Sequence, residues 1–190
     1  MAQSTARNAE RDAAQAEEGA ARNLTLLTDL YQLTMMSGYL KNGKQNDIAV
    51  FDLFFRRNSV ITYSVAAGLE QAIAYIRSIR FTEEDIAYLR SLGLFEEPFL
   101  DYLRTFRFTG DVFAVPEGTV VFPEEPILTV RAPLLEAQFV ETALLNIVNH
   151  QTLIATKAAK IAYAAAGGEV MEFGLRRAQG PDAGVYGARA

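Results

Sequence analysis

The segment that most constrains the fold of this chain is residues 169–182, which read Glu-Val-Met-Glu-Phe-Gly-Leu-Arg-Arg-Ala-Gln-Gly-Pro-Asp. Its apolar start predicts a short buried strand over residues 170–173, and the Gly-Pro pair predicts a turn into a new helix. A strand that leads through a loop into a helix is a unit of α/β folds, and α/β barrels place their chemistry at the carboxyl ends of such strands. The segment therefore predicts an α/β fold with a functional loop at this point.

The loop carries Arg176 and Arg177. Two neighbouring guanidiniums suit the recognition of phosphate or carboxylate. Because neighbouring side chains on an extended loop point in opposite directions, we expect one arginine to reach a given anion and the other to anchor the loop. The alternative is that both are surface charges beside a strand.

The sequence stops at Ala190, inside a helical pattern rich in Ala, Gly and Arg. No glycine C-cap motif and no next strand follow that pattern. A βα unit has then begun without a neighbouring strand to pair with. We therefore expect this chain to be the N-terminal part of a longer enzyme.

Composition excludes several classes of protein. Half of the 190 residues are apolar, which allows a sizeable core, and the net charge of −5 argues against general affinity for nucleic acid. The absence of cysteine excludes disulfides, thiolate chemistry and zinc fingers. It also fits a cytoplasmic protein. No segment approaches the charge-free length of about 20 residues that crosses a membrane.

Local signals place the secondary structure. Start and stop signals predict helices near residues 28–40, 68–80, 82–93 and from residue 98 onward. Residues 48–55 predict a strand that is apolar on both faces, and therefore central and covered. Short β-rich runs bounded by proline-containing turns predict antiparallel partners for that strand, at residues 111–115, 119–122 and 127–131. The apolar stretch over residues 134–166 predicts a buried helix or helix pair.

These elements predict an α/β protein in successive parts. Residues 1–23 lack an apolar run and predict a disordered tail. Residues 24–133 predict a domain of helices and strands in one α+β layer. Residues 134–190 predict linking helices and the first βα unit of a barrel-like α/β domain.

Further candidate site residues lie outside the arginine pair. Tyr31 lies about 100° around its helix from a leucine of the apolar stripe, so its ring is free to face a ligand, and Phe173 precedes the arginine loop. Stacking between two such rings suits a flat heteroaromatic substrate, although most aromatic residues are core residues. Arg56 and Arg57 follow an apolar strand and fit a solvated strand end as well as a phosphate site.

His150 is the only histidine of the chain. No Asp, Glu or Ser partner lies at a convincing spacing, so we expect a hydrogen-bonded structural residue rather than a catalytic one. The sequence contains no metal-ligand spacing, P-loop or G-x-G-x-x-G motif.

Taken together, these runs resemble the nicotinate phosphoribosyltransferase family, and the resemblance covers the chain after residue 23. The matching runs are Leu-Leu-Thr-Asp-Leu-Tyr-Gln-Leu-Thr-Met (26–35), Phe-Asp-Leu-Phe-Phe-Arg-Arg (51–57), Pro-Glu-Gly (116–118) through Phe-Pro-Glu-Glu-Pro (122–126), Leu-Ile-Ala-Thr-Lys-Ala-Ala (153–159) and Phe-Gly-Leu-Arg-Arg-Ala-Gln-Gly-Pro-Asp (173–182).

The resemblance implies a type II phosphoribosyltransferase, in which an open α/β sandwich domain precedes an irregular α/β barrel. It implies a homodimer with the active site at the subunit interface. Nicotinate and phosphoribosyl pyrophosphate (PRPP) would give nicotinate mononucleotide and pyrophosphate, an entry to NAD. ATP and Mg²⁺ are implied as cofactors, and ATP hydrolysis would be coupled to the reaction through a phosphorylated histidine.

The resemblance also assigns roles to residues. Tyr31 of one subunit and Phe173 of the other would stack on the pyridine ring. Arg176 would hold the nucleotide phosphate with Arg177 close by. Arg56 or Arg57 would reach the phosphates across the dimer interface.

One feature of the family is missing from the sequence. Its phosphorylated histidine lies in a Gly-Thr-x-Ala-His-Ser motif downstream of the arginine loop, and this sequence ends before that motif. His150 does not inherit the role, so we expect the chain alone to be inactive. The alternatives are a phosphoribosyltransferase for nicotinamide or quinolinate, and a non-catalytic truncation that keeps only the dimerising face.

Overall fold

The computed structural model describes residues 23–57 and 59–190. The tail predicted over residues 1–23 lies outside the described residues except for Asn23. The α-helices are α1 Leu30–Lys41, α2 Leu69–Ser78, α3 Glu83–Ser91, α4 Glu97–Thr105, α5 Leu134–Phe139, α6 Glu141–Ala164 and α7 Pro181–Arg189. The strands are β1 Ile48–Leu53, β2 Ser64–Val65, β3 Asp111–Ala114, β4 Val120–Val121 and β5 Leu128–Pro133.

The helices begin and end close to where the sequence predicts. Thr82 caps α3 in a capping box: its hydroxyl accepts from the Asp85 N–H at 3.1 Å, and the Asp85 carboxylate accepts from the Thr82 N–H at 2.8 Å. This arrangement satisfies backbone donors that the first turn of a helix leaves free. The stretch predicted as a buried helix or helix pair is a pair, because α5 and α6 are separated by Val140.

The main sheet is antiparallel with the strand order β1–β5–β3. The prediction that residues 48–55 form the central strand is wrong, because β5 is central and β1 is an edge strand. Val50 is 58% exposed and lies opposite Arg131 of β5. An arginine on that face keeps it hydrated, so the apolar residues of β1 on the same face are not covered.

Of the three predicted partners of β1, only the run at residues 127–131 pairs with it, as β5, whereas β3 pairs with β5. The predicted strand over residues 119–122 forms, but it belongs to another sheet. The regular part of this strand, β4, pairs antiparallel with β2 in a separate two-stranded sheet. The Pro116–Gly118 turn carries the chain there, since the Gly118 N–H donates to the Ala66 carbonyl at 2.8 Å. Two hydroxyls of α6 support the segment by accepting from the backbone of β2 and its neighbour, Thr156 from Val65 at 2.9 Å and Thr152 from Ala67 at 3.2 Å.

The hydrophobic core lies between the inner face of the main sheet and helices α1 to α6. At its centre three phenylalanine rings meet with centroids 5.1 to 5.8 Å apart, from the loops after α2 and α4 and from α5: Phe81, Phe106 and Phe139. Edge-to-face and tilted contacts at such distances favour aromatic packing. This cluster fastens α5 to the body of the molecule, and α5 leads directly into α6.

The buried strand predicted over residues 170–173 is absent. These residues form no regular secondary structure, and Phe173 is 76% exposed. A strand needs a partner for its backbone hydrogen bonds, and the described part of the chain offers none here. The chain continues into a 3-10 helix, Leu175–Arg177, and then into α7, which packs on α6. Within the described residues, no helix is both long and apolar enough to cross a membrane.

Candidate functional site

The arginine pair lies in a cavity of about 730 Å³, here called the arginine cavity. Both arginines line it together with Phe173, and its walls come from α6, the 170–177 segment and the end of α7. The expectation of an extended loop is wrong, because the backbone is a 3-10 helix. With three residues per turn, neighbouring side chains diverge by about 120° rather than 180°. Arg176 and Arg177 can therefore both face one anion.

Close packing against α7 holds this turn. Gly184 of α7 lies against the side chain of Leu175, and a Cβ at Gly184 would collide with it. The Arg177 N–H donates to the Gly174 carbonyl at 2.7 Å, which closes the 3-10 turn. Glycine at position 184 therefore lets the turn that carries both arginines sit directly on α7.

Tyr31 lies on the first turn of α1 and is 48% exposed. The residues that α1 buries are Gln32, Leu33 and Met36, so the ring is off the buried stripe as the sequence predicts. Its hydroxyl accepts from the side-chain amide of Gln32 at 3.0 Å. Partial burial, and then the nearby carboxylates of Glu141 and Asp29, raise the pKa of Tyr31. Tyr31 is not among the described residues that line the arginine cavity.

Arg56 and Arg57 are both exposed just beyond the end of β1. Arg56 lines a second cavity of about 690 Å³, here called the strand-end cavity, whose other walls include Phe54, Leu153 and Asn149. Arg57 is not among its described lining residues. Within one chain the structure therefore groups Phe173 with Arg176 and Arg177, and it leaves Tyr31 and Arg56 at separate places.

His150 lies on α6, and its ring meets that of Tyr186 on α7 edge to face at 5.9 Å. It is not among the described residues that line the arginine cavity or the strand-end cavity. Its packing between two helices supports the structural role predicted from the sequence, which stays a prediction.

Glu117 was not predicted as a functional residue, because its sequence neighbours indicate only a turn. One carboxylate oxygen of Glu117 accepts from the N–H groups of Gly68 and Leu69, at 2.6 and 2.9 Å, at the start of α2. The other accepts from Arg189 at the end of α7. The Arg189 guanidinium, helped by these N–H groups, holds the pKa of Glu117 below its ordinary value, although partial burial opposes the shift. The sequence signal that could have identified Glu117 is its position as a single carboxylate between Pro116 and Gly118.

The charges of the site fit phosphate. Among the described residues, no group of three or more His, Cys, Asp or Glu side chains is placed to hold a metal. Three arginines, Arg176, Arg177 and Arg189, line the cavity against one carboxylate side chain, Glu172, so its net positive charge attracts anions. The arginine cavity can therefore receive a phosphate group of a substrate or nucleotide.

Solved structures define the class of protein to which this fold belongs. The chain superposes on the crystal structure of human nicotinic acid phosphoribosyltransferase with a TM-score of 0.75 and 41% identity, over 84% of this chain and 33% of that one. A nicotinate-nucleotide pyrophosphorylase from Pyrococcus furiosus shares the fold, with a TM-score of 0.59 and 22% identity over 82% of this chain and 32% of that one. The fold is that of a phosphoribosyltransferase.

The sequence comparisons narrow the class to one family. Residues 26–149 match the nicotinate phosphoribosyltransferase (NAPRTase) N-terminal domain. The chain is 50% identical over 169 residues to the nicotinate phosphoribosyltransferase of Bacillus subtilis and 47% identical over 165 residues to one of Mycobacterium tuberculosis. These matches cover 88% and 86% of this chain. This chain belongs to the nicotinate phosphoribosyltransferase family. It spans about a third of the length of those relatives, 34% and 35%.

Proposed function

We propose that this chain supplies the N-terminal part of an enzyme that joins nicotinate to PRPP, giving nicotinate mononucleotide and pyrophosphate with coupled ATP hydrolysis. The observation that carries the proposal is the arginine cavity, where Phe173, Arg176 and Arg177 line one space. An aromatic face beside two guanidiniums matches a product that is a pyridine ring joined to a phosphorylated sugar. Family membership supports the same reaction.

In the proposed reaction the pyridine nitrogen attacks the C1 carbon of the ribose. The bond from C1 to the pyrophosphate oxygen breaks, and its electron pair leaves with pyrophosphate. The C1–oxygen bond breaks ahead of formation of the new C1–nitrogen bond, so positive charge develops on the sugar in the transition state. Catalysis therefore depends on positioning and on charge stabilisation. Arg176 holds the 5′-phosphate with Arg177 beside it, and Phe173 stacks on one face of the pyridine ring. ATP, when bound, would supply a driving force through the phosphorylated histidine that the family resemblance implies.

We further propose that the working unit is a cytoplasmic homodimer whose active site lies at the subunit interface. Tyr31 would close the second face of the pyridine ring, and Arg56 or Arg57 would reach the phosphates, each from the partner subunit. The placement of Tyr31 and Arg56 outside the arginine cavity of their own chain supports this arrangement. The division into a domain over residues 24–133 and a following part over residues 134–190 belongs to the same proposal.

The test is an assay on the protein expressed from its complete open reading frame, with PRPP, ATP and Mg²⁺ supplied. Nicotinate, nicotinamide and quinolinate are compared as substrates, and the nucleotide product is identified by mass spectrometry. We expect nicotinate mononucleotide to form from nicotinate, with pyrophosphate and ADP released. Preference for another pyridine would assign the chain to a sister enzyme, and no product from any of the three would favour a non-catalytic role.

The same reading frame gives a second check. A Gly-Thr-x-Ala-His-Ser motif beyond Ala190 would supply the phosphorylated histidine that the reaction needs. A stop codon at that point would remove the coupled ATP hydrolysis from the proposal.

A further inference from the structure

A buried amide network lies directly beneath Tyr31. Gln32 is 0% exposed although it is polar. Its Nε2 donates to the Glu141 carboxylate at 2.7 Å and to the Tyr31 hydroxyl at 3.0 Å, and its Oε1 accepts from the amide of Gln138. Gln138 also donates to Glu141 at 3.4 Å. The network therefore joins α1, α5 and the first residue of α6.

Burying an amide costs free energy unless its groups find partners, and an apolar side chain of similar size would pack at lower cost. Here both functional atoms of the Gln32 amide are satisfied. The partners come from three helices, so the amide can adopt one orientation only. A buried network of this kind contributes geometric specificity more than stability.

The Tyr31 ring is the part of this network that is exposed at the surface. Its hydroxyl accepts a hydrogen bond from Gln32, which also donates to Glu141, while 48% of the residue is exposed. A tyrosine on a surface helix ordinarily turns among several rotamers. Fixing the hydroxyl restricts that freedom, while the exposed part of the residue stays accessible to a planar ligand.

We infer that Gln32, supported by Gln138 and Glu141, is a positioning residue that holds the Tyr31 ring for stacking on the pyridine substrate. The inference rests on the proposed function, because it needs a flat substrate at Tyr31. Gln32 itself does not touch the substrate. It acts through the orientation of Tyr31.

The test compares two buried glutamines in the protein expressed from its complete open reading frame. Gln32→Met replaces the amide by an apolar side chain of similar length. The matched control is Gln151→Met, because Gln151 is 4% exposed and its amide donates to Gln71, away from Tyr31. We expect Gln32→Met to raise the KM for nicotinate about fivefold and to leave the KM for PRPP unchanged. Gln151→Met should change neither KM.

A double-mutant cycle with Tyr31→Phe separates positioning from packing. Tyr31→Phe keeps the ring and removes the hydroxyl, so it should raise the KM for nicotinate by itself, and adding Gln32→Met should have little further effect. Equal effects of Gln32→Met in both backgrounds would overturn the inference. If Gln32→Met fails to fold, Tyr31→Phe alone tests the inference. An unchanged nicotinate KM in Tyr31→Phe would then contradict the inference.

Ring dynamics distinguish failure of this inference from failure of the proposed function. If the parent protein makes no nucleotide from nicotinate, the proposed function fails. NMR of isotope-labelled tyrosine then still shows whether the Tyr31 ring is immobile in the parent and mobile in Gln32→Met. A ring that is equally mobile in both proteins would overturn the positioning role.

Discussion

At the scale of single residues, the arginine cavity depends on the difference between a guanidinium and an ammonium group. Arg176 and Arg177 line the same cavity on a 3-10 turn that rests on Gly184. A guanidinium offers a planar fork that binds phosphate through two parallel hydrogen bonds, whereas lysine presents a point charge. Substitution by lysine therefore separates recognition by geometry from attraction by charge.

Arg176→Lys should lower kcat/KM on the order of 100-fold although the positive charge is kept, because the two-point contact with phosphate is lost. Arg177→Lys should cost less than about tenfold, since we assign it a supporting position. Titrations with PRPP and with nicotinate measure both variants. Small and equal effects at the two positions would remove the phosphate assignment.

Tyr31→Ala tests the proposed stacking ring. The change should raise the nicotinate KM and lower kcat. Loss of the aromatic stacking contact should cost about 0.5–1.5 kcal/mol of substrate-binding free energy, in addition to the contribution from buried apolar area. The melting temperature should change little, because the ring is half exposed and outside the buried stripe of α1. Unchanged kinetics with a lowered melting temperature would make Tyr31 a core residue only.

At the scale of elements, Glu117 fastens α7 to the start of α2. Its carboxylate accepts from two backbone N–H groups of α2 and from Arg189 of α7. Arg189 also lies 3.7 Å from Glu70, so the charged groups facing Glu117 are the Arg189 guanidinium and, beyond it, the Glu70 carboxylate. Because the arginine turn packs on α7, this contact helps to fix that turn relative to the rest of the fold.

Glu117→Gln should lower the free energy of unfolding at pH 7 by about 1 kcal/mol, an estimate that allows for the half-exposed Arg189. The folded-state pKa of Glu117 is lowered from its ordinary value of 4.5. Its extra stabilisation is therefore fully present above about pH 4.5 and is lost as the pH falls through the lowered pKa. Urea unfolding curves of the parent and the variant should converge in that acidic range.

Glu97→Gln is the control for this pH dependence. The carboxylate of Glu97 is paired with Arg90, and that hydrogen bond lowers its pKa, but the pair is at the surface. Exposed ion pairs contribute little to stability. This variant should therefore have nearly the same free energy of unfolding as the parent, both at pH 7 and in the acidic range. A Glu117→Gln effect no larger than that of Glu97→Gln would show that the contact with α7 is incidental.

At the scale of the whole molecule, the parts of the candidate site lie apart on one chain. Phe173 and the arginine pair share the arginine cavity, whereas Tyr31 lies at the start of α1 and Arg56 lines the strand-end cavity. A two-fold dimer brings different patches of the same chain together at each of its two sites. Each proposed active site would then need residues from both subunits.

Mixed dimers of two inactive variants test this arrangement. Tyr31→Asp places a carboxylate against nicotinate, and Arg176→Ala removes the phosphate ligand. If each site takes Tyr31 from one subunit and Arg176 from the other, a mixed dimer contains one native site. Random co-assembly in equal amounts should then restore about a quarter of the native activity. Mixing Arg176→Ala with Phe173→Ala is the control and should restore nothing. No recovery with the first pair would place both residues in the same subunit's site.

The sequence by itself determined the helices and the family. A capping box such as Thr82 with Asp85, and a proline at the start of a helix such as Pro181, act within one helical turn, so a short stretch of sequence contains the whole interaction. The run at residues 173–182 likewise pointed to the family. The match of residues 26–149 to the family's N-terminal domain and the similar relatives confirm that family.

Only the tertiary structure decided which strands pair and which polar residues are buried together. Strand β5 rather than β1 is central because β5 pairs with both β1 and β3, which come from parts of the chain far from one another. Residues 170–173 read as a strand but lack a partner, and Gln32 meets Gln138 and Glu141 only after three helices pack. Strand pairing and burial depend on the neighbours that folding brings together, and local sequence does not contain them.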